Sequence, residues 1–179
     1  MSRNKTPSHS ENVTLICGKG NSVTLPVSAN GGEGVISYWQ PPDLVIGSVS
    51  IDAERFHHPL IKLDFSSMIN YKTVNQYSGF FIGIIFQLSR AIDNGPRQPI
   101  GTYVYQNEAE IDIGNGEVEP ITIGLDIGTS VPFEFTWCEC RECSGCLTYY
   151  VDIIEFHTDY IANASITNVY LNALAIEQD

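Results

Sequence analysis

Residues 131–156, VPFEFTWCECRECSGCLTYYVDIIEF, carry two signals at once. Phe133, Phe135 and Trp137 alternate with Glu134 and Thr136, and Tyr149, Val151 and Ile153 alternate with Tyr150, Asp152 and Ile154. A period of two sets one group of side chains on one face of a strand, whereas a helix needs apolar residues three and four apart. The runs predict strands at 131–138 and 146–156, joined as a hairpin with Cys138 opposite Cys146 across a loop carrying Cys140 and Cys143. The second signal is those four cysteines.

Outward from this stretch the same period recurs. Ile61, Leu63 and Phe65 alternate with Lys62 and Asp64. The most apolar run, Gly79 to Leu88, is about half the length a membrane-spanning helix needs and reads as a buried strand. Turn clusters stand between the runs at Asn30-Gly31-Gly32, Asp93-Asn94-Gly95-Pro96, Gly114-Asn115-Gly116 and Ile127-Gly128-Thr129, where glycine and asparagine supply positive φ. Strands are expected at 13–17, 22–28, 44–51, 59–66, 79–89, 101–105, 109–113, 119–125 with 131–138 as one interrupted strand, 146–156 and 165–176. In the last of these, Thr167, Val169, Leu171, Ala173 and Ala175 form the more uniformly apolar face. Residues 67–77 alone could hold a short helix or a long loop. The fold class expected is all-β, a jelly-roll β-sandwich of about nine or ten strands. A flexible polar arm, residues 1–12, precedes a single domain at 13–179.

Composition narrows the function. The chain has 179 residues, 43% of them hydrophobic, enough for one continuous core and too many for a disordered chain. Its 9 Lys+Arg against 21 Asp+Glu leave a net charge of -12, and no basic run exists to meet nucleic acid or an anionic membrane. No apolar stretch follows the polar start, so ordinary signal-peptide export is not expected.

Cys138, Cys140, Cys143 and Cys146 form one compressed C-x-C-x2-C-x2-C run, and Cys17 stands alone near the N-terminus. Disulfide chemistry is the preferred reading, with Cys17 left for an internal or an intermolecular partner. A zinc site built from Cys138, Cys140, Cys143 and Cys146 is the alternative, although structural zinc sites usually draw two separated pairs from two elements. Familiar iron–sulfur spacings are missing. Disulfides need an oxidising destination, and release by cell lysis would reconcile that with the missing export signal.

No nucleophile elbow, phosphate loop, zincin or dinucleotide fingerprint appears, and His9, His57, His58 and His157 are not tied to a thiol by any motif, so no enzyme and no cofactor is expected. Asp93-Asn94 and Asp112, Asn115 and Glu117 sit in acidic turns without a full EF-hand loop. Tyr38, Trp39, Tyr103, Tyr105, Tyr149 and Tyr150 could stack on sugar rings, which keeps a monomeric carbohydrate- or surface-binding module as the alternative function.

Cys17-Gly18-Lys19-Gly20 with Leu25-Pro26, then VSIDAERFHHPLIKLDFSS, then FTWCECRECSGCLTYYVDI with a closing ITNVYLNALA, resemble an uncharacterised cysteine-containing family of spore-forming Firmicutes, known as a domain of unknown function. The resemblance covers residues 12–176, and the cysteine block is its most specific part. The layout of arm, nearby cysteine and jelly roll is also similar to the endospore-appendage (Ena-type) pilins, with one N-terminal cysteine here where those carry a pair. These resemblances imply a non-catalytic structural subunit that assembles with copies of itself into a helical homopolymer on the spore surface or outside the cell. In such an assembly the arm docks on a neighbour's sheet edge and Cys17 bonds to a cysteine there.

Overall fold

Strands dominate the computed structural model, which describes residues 13–27, 37–42, 44–73, 79–109, 128–140 and 145–177. In chain order they are β1 (Val13–Cys17), β2 (Lys19–Gly20), β3 (Val23–Leu25), β4 (Ser37–Trp39), β5 (Leu44–Asp52), β6 (Pro59–Thr73), β7 (Phe80–Ile92), β8 (Gln98–Ala109), β9 (Gly128–Cys140), β10 (Cys146–Asp159) and β11 (Ile161–Glu177). One 3-10 turn, Ala53–Arg55, follows β5, and the Asp52 carboxylate caps it by accepting from the Glu54 N–H.

All pairings are antiparallel and fall into two sheets. The first has the order β1-β11-β6-β9, with β3 also on β11; the second has the order β2-β5-β10-β7-β8, with β4 also on β10. Setting aside the short β2, β3 and β4 and renumbering the rest one to eight, the orders become 1-8-3-6 and 2-7-4-5. That is the jelly-roll connectivity of two interlocked Greek keys, so the chain is an all-β sandwich as its periodicity predicts.

The core forms where the inward phases of both sheets meet. β6 alternates buried and half-buried residues along its whole length, turning Ile61, Leu63, Phe65, Ile69 and Tyr71 inward. Ile82, Ile84, Phe86 and Leu88 of β7 and Leu147, Tyr149, Val151 and Ile153 of β10 face them. Aromatic rings join the sheets, Phe86 stacking on Phe133 at 4.6 Å and Tyr103 on Phe135 at 3.7 Å, while Phe65 stacks on its cross-strand partner Phe135 at 4.8 Å. The CGKG motif marks the crossing from one sheet to the other. A side chain at Gly18 would put its Cβ 2.3 Å from the Leu171 carbonyl oxygen, and at Gly20 only 1.8 Å from that of Val169, so the chain crosses β11 where only glycine fits.

Several expectations are corrected. Residues 67–73 hold neither helix nor loop but continue β6, with Ser67 and Thr73 occupying inward positions that period two assigns and hydropathy hides. The expected hairpin of 131–138 with 146–156 is absent: β9 pairs with β6 and β10 with β4, β5 and β7, so the chain crosses between sheets there. The strand expected at 22–28 shortens to β3, and the one at 101–105 lengthens to β8. In β11 a register shift between Thr167 and Tyr170, with Asn168 at φ 51, reverses the phase. The expected face therefore holds for Val169, Leu171, Ala173 and Ala175, whereas before the bulge Ile161, Ala164 and Ile166 are buried and Thr167 is not. The arm 1–12, the strand expected at 119–125, nearly all of that at 109–113, and Cys143 lie outside the described residues.

Candidate functional site

Cys17, Cys138, Cys140 and Cys146 are exposed free thiols. Period two sorts the first three onto one surface. In β1, Ile16 packs toward the core, so Val13, Leu15 and Cys17 point outward. In β9, Phe133, Phe135 and Trp137 pack toward the core, so Glu134, Thr136, Cys138 and Cys140 point outward. Register lines these residues up across the first sheet. One row runs Cys17, Asn172, Asp64, Thr136; the next runs Leu15, Leu174, Lys62, Cys138; the third runs Val13, Ile176, Leu60, Cys140.

Cys17 and Cys138 therefore stand at opposite edges of one face. Three strand spacings of ~4.8 Å separate β1 from β9, about 14 Å, while a disulfide needs Cα atoms within roughly 7 Å. An internal bridge from Cys17 to Cys138 or Cys140 does not fit. Cys146 opens β10 in the other sheet, opposite Asp52 of β5, whereas the chain after Cys17 joins β5 at Ser48. Four residues along β5 span ~13 Å, so this bridge does not fit either. β1 pairs only with β11 and β9 only with β6 among the described residues, which leaves an open edge beside each cysteine position.

Glu139, between the two outward cysteines, turns inward. Arg90 Nη1 donates to Glu139 Oε2 at 2.6 Å, and their side chains are 5% and 12% exposed. The Tyr149 hydroxyl donates to Glu139 Oε1, and Arg90 Nη2 donates to Gln98 at 3.3 Å. This buried charge pair holds the end of β9 against the second sheet and so fixes Cys138 and Cys140 facing out. At the next corner the Cys146 N–H donates to Asp93 Oδ1 at 2.7 Å and the Asp93 N–H to the Cys146 carbonyl at 2.9 Å. Asp93 and Asn94, at φ 49 and 59, make the predicted turn, and the Asp93 carboxylate is engaged by the chain itself. Sequence reasoning placed Glu139 in a polar loop and overlooked Arg90. The signal was there: Glu139 continues the phase of Phe135 and Trp137, and Arg90 that of Phe86 and Leu88.

The same outer face holds a shallow trough of about 580 Å³ lined by Lys62, Asp64, Ser66, Glu134, Thr136 and Asn172. Lys62 pairs with Asp64 at 2.9 Å and Thr136 donates to Asp64 at 2.8 Å; the Lys62 hydrogen bond is the main cause holding the Asp64 carboxyl below its usual range. The aromatic candidates are elsewhere and largely consumed. Tyr149 and Tyr105 are buried, Tyr103 and Trp39 pack against the core, and Tyr150 lies under the Arg97 guanidinium at 3.9 Å. Tyr38 alone among them is broadly exposed, and it donates to Glu155. His57 and His58 give their backbone N–H groups to Glu177, and His157 packs against Phe81 and Tyr38. Among the described residues no three His, Cys, Asp or Glu side chains converge to hold a metal.

The jelly roll with thiols on one outer face defines an all-β sandwich domain. The chain belongs to the family described as Domain of unknown function (DUF4489), whose model matches residues 12–176. No curated protein matches it. Among solved structures, it is similar to chains of the infectious bursal disease virus Gx strain (13% identity, TM-score 0.27) and Gt strain (13% identity, TM-score 0.28). Each match covers 99% of this chain and 42% of the other, so the chain spans less than half the length of those it matches.

Proposed function

We propose that this protein is a non-catalytic structural subunit that polymerises head to tail through the two open edges of its first sheet and is then cross-linked through Cys17. One observation carries the reading: Cys17 and the pair Cys138 and Cys140 share an outward face and stand at its opposite edges. Laying β1 of one copy along β9 of the next continues the antiparallel alternation of β1, β11, β6 and β9. In strict register Cys17 would meet Thr136 of its neighbour, and a shift of two residues along the edge brings it to one strand spacing, ~5 Å, from Cys138, within reach of a disulfide. Such a contact is heterologous and does not close, and sheet twist turns it into a helical fibre.

The chemistry is thiol–disulfide exchange. Two cysteine thiols lose two protons and two electrons to a low-molecular-weight disulfide, which leaves as two thiols. Spore-forming Firmicutes and Ena-like appendages supply the setting, a spore surface or extracellular layer reached by lysis of the mother cell. The partners are copies of the chain; nucleic acid, membrane and cofactor have no part. A carbohydrate-binding monomer is the lesser reading, because five of its six candidate aromatic rings are engaged in packing or under Arg97.

Non-reducing electrophoresis and negative-stain microscopy of wild type beside Cys17→Ser test the reading, with oxidised glutathione as oxidant. Wild type should give ladders and fibres that reductant weakens, and Cys17→Ser should lose the ladder. A wild type that stays a monomer under every condition overturns it.

A further inference from the structure

We infer that the outer face of the β1-β11-β6-β9 sheet takes a second copy of the chain about a two-fold axis that runs along the strands between β11 and β6, each copy's Tyr170 entering the other's trough. This contact is distinct from the edge contact proposed above and shares with it only the identity of the partner.

Three observations carry it. The first is unspent apolar surface. Of the five large apolar side chains most exposed among the described residues, Val13, Leu15 and Tyr170 lie here, at 53%, 68% and 59%. Leu174, Ile176 and Leu60 extend the patch beside them. The second is charge. In a chain of net charge -12, the outward positions of this face carry Lys62 and Lys72 against Asp64 and Glu134, so it is neutral. Copies of an acidic protein repel each other on most approaches, and a neutral face removes that penalty. The third is size: β6 runs ~50 Å and four strands span ~14 Å, which offers on the order of 700 Å², close to the ~800 Å² each partner gives to a standard interface.

Register then selects the symmetry. A half-turn about an axis along the strands sets β11 of one copy over β6 of the other and keeps each level unchanged. Tyr170 is the register partner of Ser66, and Ser66 of Glu134. Tyr170 of the second copy therefore lies over Ser66, at the trough lined by Asp64, Glu134 and Thr136, where its hydroxyl meets carboxylate acceptors. Leu174 falls on the apolar stem of Lys62, Ile176 on Leu60, and Leu15 on Cys138. The contact closes at two copies and uses neither sheet edge, so an edge disulfide would lie at its rim.

Sedimentation in reducing buffer, where no disulfide can form, tells the two contacts apart by stoichiometry, because the face closes at two copies and edge pairing runs on to longer polymers. Wild type should be a dimer at micromolar concentration, and Leu15→Glu with Tyr170→Glu, both at exposed positions, should weaken it about a hundredfold or more. A short bifunctional maleimide on Cys17→Ser carrying Leu15→Cys should join position 15 of one copy to Cys138 of the other. Links from 15 to 15 would mean the perpendicular axis and overturn the arrangement. A reduced wild type that is monomeric, or a double variant that pairs as well as wild type, overturns the face. So does a dimer that appears only after residues 1–12 are deleted, which would make the chain's own N-terminal segment the occupant. A reduced wild type that stays monomeric yet gives oxidised ladders and fibres would sink the face and leave the edge reading standing; a reduced dimer that never forms ladders would do the reverse.

Discussion

The two faces of the β1-β11-β6-β9 sheet are built from the same strands and end in opposite states. On the inner face the large groups are packed: Phe133 and Phe135 stack on Phe86 and Tyr103 of the second sheet, Phe65 stacks on Phe135, and Glu139 is matched by Arg90 and Tyr149. On the outer face Leu15 and Tyr170 remain in solvent and the thiols are unbonded. One face stabilises the subunit, and the other is left for something outside it. Changes to the inner face should therefore cost stability whatever the state of assembly, and changes to the outer face should cost assembly at constant stability.

The largest effect is expected at Glu139→Ala. It leaves the Arg90 guanidinium, 5% exposed, as an unpaired charge between the sheets, which costs about 3–5 kcal/mol. Urea denaturation of the reduced protein should show it as a lower midpoint at unchanged slope. Replacing Arg90 by Met and Glu139 by Leu together with Tyr149 by Phe, whose hydroxyl would otherwise lose its acceptor, should recover most of the loss, since an apolar cluster of similar volume needs no partner. If Glu139→Ala is neutral, the pair is not buried in solution and the contrast between the faces is weaker than drawn.

An intermediate effect is expected where Tyr105 of β8 meets Phe133 of the inner face. Burial, with the Tyr71 hydroxyl beside it, pushes the Tyr105 phenol up from 10.0 to about 12. The ionised form is thus disfavoured in the folded state. Tyr105 contributes stability that is fully present below about pH 10 and is lost as pH rises toward about 12. Ultraviolet difference titration should show a tyrosine ionising last, close to unfolding, and Tyr105→Phe should remove that step. A Tyr105 that ionises with the exposed tyrosines would mean that the interior admits water there.

Much of this contrast was legible in the sequence, and the failures have physical causes. Phe133, Phe135 and Trp137 announced both strand and face, because alternation follows directly from the pleat. The Asp93-Asn94-Gly95 turn was legible from its positive-φ residues. The second half of β6 was missed because Ser67 and Thr73 hold inward positions without being apolar. The inward face of β11 was legible from Val169 to Ala175 but not before it, because the bulge at Asn168 moves Ile166 rather than Thr167 inward, and only pairing reveals a bulge. The crossover after Cys140 was mistaken for a hairpin because a short loop between strands looks alike whether it stays in one sheet or leaves it. Cys17 was legible as chemistry but not as geometry: its distance from Cys138 is a property of strand order, set by β11 and β6 coming between them.

The smallest effect on stability, and the sharpest test of the contrast, belongs to the outer face. Leu15 and Tyr170 are 68% and 59% exposed, so shortening either to Ser removes little that folding had buried and should move the unfolding free energy by no more than about 0.5 kcal/mol. The same two changes take away two of the largest apolar groups on a neutral surface, and sedimentation of the reduced protein should register their loss. Denaturation and sedimentation of one pair of variants thus give a dissociation that no inner-face variant can give. Were Leu15→Ser to lower stability as Glu139→Ala does, Leu15 would be packed against the chain's own residues, and the outer face would be a second core rather than a surface awaiting a partner.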